Sequence, residues 1–216
     1  MPSVTVKTIA TVCCILSFAF MASCTQNPSK APDVQGMAYV PSGKFVMGSL
    51  GEVEGQSKDY GDGAVGIDVG VDELPRHTAK LEKGFYMDRY EVTQAEYKKF
   101  VDSTGHRSPD NPTHPEDPYI WKKNTYPEGI SENPVALVNY ADALAYCKWN
   151  GKRLPAEEEW EKACRGDDGR RWPWGDTFEP TKANTRALEL VRSSPVGGFP
   201  MDVSQYCVYD IAGNLR

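Results

Sequence analysis

Apolar positions along this chain come in short bursts separated by long polar or glycine-rich stretches, a pattern that predicts brief elements joined by extended connections. The clearest burst is Tyr97, Phe100 and Val101, spaced i, i+3, i+4 as on the inward face of a helix. Thr93 stands where an N-cap belongs and Glu96 can reciprocate. Val92 and Tyr97 can close a hydrophobic staple, and Gly105 ends the helix. A second helix is predicted after Asn139, with Tyr140, Ala143, Leu144 and Cys147 as its inward face and Gly151 at its end; Cys147 is expected to be buried. A third follows Arg153. Pro155 closes an extended approach, and Glu157, Glu158 and Glu159 sit where a helix N-terminus carries partial positive charge. Trp160, Ala163 and Cys164 mark its buried face, and Gly166 stops it. The run Trp172-Pro173-Trp174-Gly175 then packs two aromatics around a rigid proline before a glycine turn. Ahead of the helices, residues 37–40 and 44–47 flank Pro41-Ser42-Gly43 and predict a hairpin, and residues 84–92 alternate well enough for a strand.

The connections differ in kind. Residues 49–72 mix glycines with acids and hold little that could pack, so they read as a long surface loop; the Asp59-Tyr60-Gly61-Asp62-Gly63 piece lacks the full ligand set of a calcium loop. Residues 106–133 hold five prolines and little periodicity, giving an irregular loop held by Tyr119, Trp121 and Tyr126. His106 and His114 have no third ligand near them in sequence and read as loop residues rather than a metal pair. At the other end, Lys7 precedes an apolar run from Ile9 to Met21 that is shorter than the roughly 20 residues a membrane span needs, so residues 1–23 read as a secretory signal. Residues 24–36 are a polar tether and 37–216 one domain. The formal charge is −6, and more negative still without Lys7, which argues against a nucleic-acid partner.

Several runs carry a resemblance. Met21-Ala22-Ser23-Cys24 resembles a bacterial lipobox, with methionine where leucine is usual, and implies lipidation of Cys24, a membrane anchor and a place in the cell envelope. Thr25 and Gln26, lacking the aspartate linked to inner-membrane retention, lean toward the outer membrane. Arg153 to Gly166, reading R-L-P-A-E-E-E-W-E-K-A-C-R-G, is similar to a signature of the formylglycine-generating enzyme family, the sulfatase-modifying factors. So are G-K-F-V-M-G-S from Gly43, D-E-L-P-R-H from Asp72, Y-E-V-T-Q-A-E-Y from Tyr90 and Y-D-I-A-G-N from Tyr209. One departure is Ala156 where the family has threonine; losing that cap should weaken the helix start by about 1 kcal/mol. The resemblance implies an α+β fold of short helices, a small antiparallel sheet and many loops, distantly like C-type lectins.

It also implies chemistry. Cys147 and Cys164 match, in context and spacing, family cysteines that form structural disulfides with partners further along the chain, and no such partner is found here. The family's copper(I)-binding cysteine pair lies beyond the Gly213-Asn214 turn, where Arg216 stands in the place of a tryptophan, and none of Cys147, Cys164 or Cys207 matches it. Copper(I) requires soft thiolates. The expectation is therefore a C-terminally incomplete domain that does not make formylglycine as it stands, whose full-length relative would oxidise a sulfatase cysteine with O2. Calcium is the other implied ligand, with Asn184 and Thr185 in one set and Asp210, Gly213 and Leu215 in another; Glu189 is a candidate acid for the first. A sulfatase or another envelope protein is the implied partner. The alternative is a non-catalytic, lectin-like lipoprotein that binds a protein or glycan.

Overall fold

The computed structural model describes residues 34–49, 74–188, 190 and 192–215. The signal and lipobox residues, the loop at 50–73 with its Asp59 run, and Glu189 lie outside the described residues. Among those described, four strands precede three helices: β1 Met37–Val40, β2 Gly43–Met47, β3 His77–Leu81, β4 Phe85–Asp88, α1 Gln94–Thr104, α2 Tyr140–Trp149 and α3 Glu157–Arg165. Two single 3₁₀ turns follow, at Pro180–Lys182 and Arg186–Leu188. The mixture of short helices and small antiparallel sheets is the α+β class expected.

The hairpin expected around Pro41-Ser42-Gly43 does not form. β1 pairs with β4 and β2 with β3, both antiparallel. Val40 lies opposite Phe85 and Gly43 opposite Leu81, so two residues on one side face three on the other. The four strands are thus one nested ribbon, bent at a corner that carries an extra residue in the manner of a bulge. Pro41 stands at that corner and has no N–H to give to a ladder, which is why pairing stops there and resumes in a new register. The expected strand at 84–92 is shorter, ending at Asp88.

Helix α1 forms as its sequence dictates. The Glu96 amide donates to Thr93 Oγ1, the Thr93 amide donates to Glu96 Oε2 (2.9 Å), and Gly105 closes the helix in a left-handed conformation with φ 69°. Tyr97, Phe100 and Val101 are buried with Trp121 and Tyr146 in an aromatic core, and Val92, Tyr126 and Cys147 pack at its rim. Gln94 is also fully buried there: its Oε1 accepts Trp121 Nε1–H at 2.7 Å and its Nε2 donates to the Pro134 carbonyl. The loop at 106–133 is held by Trp121 and Tyr126, as expected.

The face of α2 is a correction. Tyr140 is 74% exposed and Cys147 only half-buried, whereas Asp142 and Tyr146 point inward. The reason is electrostatic: Asp142 caps the helix through the Asn139 amide (2.9 Å) and is held by Arg107 and by His106 Nε2 (2.8 Å), which rotates the helix toward the loop. His106 also packs on Phe100, so it is a structural residue rather than a solvated one.

Trp160 on α3 is likewise exposed (47%) where burial was expected, and Lys162, a residue no apolar pattern marks, takes the inward position beside Ala163 and Cys164. Its Nζ lies 3.2 Å from Asp167 Oδ1 and 5.7 Å from the centre of the Phe45 ring. At the α3 start, Ala156 offers no side-chain cap, but Glu159 accepts the Ala156 amide at 2.8 Å and is held by two bonds from Arg153. A second core, of Ala38, Val40, Ala163, Tyr206 and Val208, joins the ribbon to α3 and the C-terminal segment. Trp172 and Trp174 stack at 5.7 Å in the aromatic corner, closed by paired hydrogen bonds between Trp172 and Gly175.

Candidate functional site

Two neighbouring features gather the polar chemistry of the described residues. The first is a cleft of about 580 Å³ between β4, the C-terminal end of α2, the start of α3 and the turn at 209–215. Tyr90 and Tyr209 stack at 5.0 Å at one end; Trp160, Cys147 and the Lys152–Asp88 ion pair (2.6 Å) stand along its walls. Tyr90 is 42% exposed, so two large aromatic surfaces face the cleft partly open to solvent. The Tyr90 phenol is raised above its ordinary range by burial and by the neighbouring Tyr209 and Asp210.

The second is the turn itself. Asp210 and Asn214 adopt left-handed backbone conformations with φ 55° and 69°, which curls the intervening amides inward. The Ala212 amide donates to both oxygens of buried Asp202 (3.1 and 3.2 Å), and the Ile211 and Gly213 amides also favour its charged form. Asn214 Nδ2 donates to Glu91 Oε2 (2.7 Å) and to the Ser194 carbonyl, while its Oδ1 accepts from Asn184 Nδ2 and the Ser194 amide. Asp210 Oδ2 accepts the Gly197 amide at 2.6 Å. Burial pushes Glu91 and Asp202 up to about 7, in both cases against the hydrogen bonds that favour the carboxylate, and it raises Asp210 as well.

The expected calcium residues come together here. Asn184 and Gly213 are in main-chain contact, so close that a Cβ on Gly213 would lie 2.7 Å from the Asn184 carbonyl oxygen. That oxygen accepts the Asn214 amide, and the Thr185 carbonyl accepts the Leu188 amide. The Thr185 hydroxyl is buried without a partner, and Leu215 lines the cleft. Among the described residues no group of three or more His, Cys, Asp or Glu is arranged to hold a metal. Glu91, Asp202 and Asn214 were not singled out by sequence reasoning, although Glu91 and Asn214 fall inside the two runs at Tyr90 and Tyr209.

The thiols are dispersed. Cys164 is buried on α3 and pushed up to about 12 by that burial; Cys147 is half-buried in the cleft wall and also raised, by burial and by Asp88. Both are unpaired, whereas Cys207 is disulfide-bonded. Among the described residues, no helix is long and apolar enough to cross a membrane.

The family model for the sulfatase-modifying factor enzyme 1-like domain matches residues 23–216. The formylglycine-generating enzyme of Mus musculus is 31% identical over 225 residues, covering 83% of this chain and 56% of that protein. The inactive Cα-formylglycine-generating enzyme 2 of Bos taurus is 40% identical over 111 residues, covering 44% of this chain and 36% of that protein. Among solved structures, PvdO from Pseudomonas aeruginosa superposes with a TM-score of 0.62 at 30% identity, over 83% of this chain and 67% of that one. The chain thus spans 56% and 36% of these two relatives' lengths.

Proposed function

Because the chain belongs to the sulfatase-modifying factor enzyme 1-like family, we propose that its described part is the scaffold and recognition portion of such a domain, on a lipid-anchored protein of the bacterial cell envelope. On this reading it does not itself oxidise cysteine to formylglycine. The thiols carry the reading. A copper(I) site needs two deprotonated sulfurs side by side. Here Cys164 is buried and strongly disfavoured as a thiolate, and Cys147 stands on another helix. The described thiols therefore do not fit copper, and no oxidative step runs through them.

The cleft is the surface for recognition, with Tyr90 and Trp160 offering aromatic area to a protein or glycan partner. Two or three acyl chains on Cys24 would hold the protein to the membrane, each buried methylene contributing about 0.8 kcal/mol. The test is incubation of the purified protein with copper(I), O2 and a peptide carrying C-x-P-x-R, read by mass spectrometry. The peptide is expected to emerge unchanged, and its conversion to formylglycine overturns the proposal.

A second reading, in which the polypeptide belongs to a longer working oxidase acting on a sulfatase, is favoured by one observation: Cys147 and Cys164 are unpaired. The intact mass of the native protein separates the two readings. A mass above that of the sequence plus its lipid, with further cysteines in the added part, favours the oxidase.

A further inference from the structure

Calcium in an all-protein site takes six to eight oxygens at 2.3–2.6 Å. The turn at 209–215 presents the Ala212 amide and the Asn214 side-chain amide to two carboxylates. Asp202 takes the Ala212 amide with both oxygens, and the Ile211 and Gly213 amides also favour its charged form. Glu91 takes the Asn214 side chain, and the Leu215 amide favours its charged form. Three oxygens at the expected positions also accept hydrogen bonds, Asp210 Oδ2 from Gly197, the Asn184 carbonyl from Asn214 and the Thr185 carbonyl from Leu188. Main-chain contact between Asn184 and Gly213 also leaves no gap between the two expected sets. We infer that the carboxylates of Asp202 and Glu91, from two separate segments, close this turn in place of a calcium ion, so that the turn forms without metal.

The donor set explains why one arrangement displaces the other. A cavity lined by amide hydrogens is an anion receptor, and the anion it holds is a side chain of the same protein. A cation there would have to displace hydrogen-bonded amides from both acids before meeting a carboxylate oxygen.

The experiment is thermal unfolding of the full chain in EGTA and in saturating calcium, beside the Asp210→Ala variant. A protein of this size moves by roughly 2–4 °C for each kcal/mol, and an ion at a hundred times its Kd adds about 2.7 kcal/mol. The midpoint is expected to differ by less than about 3 °C between the two conditions. A larger, saturable rise that Asp210→Ala or Asn184→Ala abolishes overturns the inference; a rise that both variants leave intact upholds it, because that ion sits elsewhere. Where Asp210→Ala does not fold, terbium alone serves as the probe. Emission sensitised through Tyr90 or Tyr209 and competed away by calcium overturns the inference, and its absence upholds it. Glu91→Gln is expected to lower the midpoint equally with and without calcium, and rescue of this variant by calcium would count against the inference.

Discussion

The aromatic core between α1 and α2 and the polar turn at 209–215 are ordered by opposite means. In the core, five rings meet at 5–6 Å, and the buried polar atoms of Gln94 are matched to Trp121 and Pro134. Burial of large side chains supplies the stability, roughly 25 cal/mol for each Å² of apolar surface, and it is insensitive to pH. At the turn, Ala212 is buried and Ile211 packs on the second core, but the geometry depends on each carboxylate finding its donors. A typical hydrogen bond to a charged group contributes about 1.5–3 kcal/mol, and loss of one partner leaves the others unsatisfied. The core therefore weakens by degrees as atoms are trimmed, whereas the turn is held by a few contacts that are either made or lost.

The largest expected effect lies in the core. Trp121→Ala should cost about 3–5 kcal/mol by urea unfolding, since it opens a cavity and strands the Gln94 carbonyl. Next is Asp142, the point at which the core uses the turn's chemistry. Despite its burial, hydrogen bonds from Arg107, the Asn139 amide and His106 hold its carboxyl below the usual range. A depressed folded pKa gives stability that is present above the unfolded value, near 3.9, and is lost as pH falls through the folded one. Acid unfolding should therefore steepen below about pH 4, and Asp142→Asn should flatten that slope while costing about 2 kcal/mol at neutral pH. The smallest effects compare helix starts. Thr93→Ala should lose about 1 kcal/mol, and Ala156→Thr should gain no more than about 1 kcal/mol, because Glu159 and Arg153 already hold the α3 start. Equal gains and losses at the two sites would show that the Arg153 clamp on Glu159 does not offset the missing cap.

Much of this division could be read from the sequence. Helix α1 was legible because its cap, staple, inward face and terminal glycine all lie within 14 residues of Val92. The family runs foretold the fold class, and the alanine at 156 foretold a missing cap. Strand pairing was not legible: both halves of the ribbon look like hairpin arms locally, and only the corner residue count decides that β1 meets β4. The α2 face was misread because Asp142 counts as polar in any periodicity, while the guanidinium that draws it inward is 35 residues away. Glu91 escaped for the same reason, its partner Asn214 lying 123 residues on, and Asp202 because its partner is a backbone amide that no residue pattern marks.

Lys162 has a consequence of another kind. Its amine is 1% exposed beneath α3, whereas Lys44 on the adjoining strand is exposed. An amine-reactive reagent reaches Lys44 at once but meets Lys162 only when α3 lifts from β2. The ratio of the two labelling rates is therefore a clock for that opening, already built into the protein and needing no probe to be introduced.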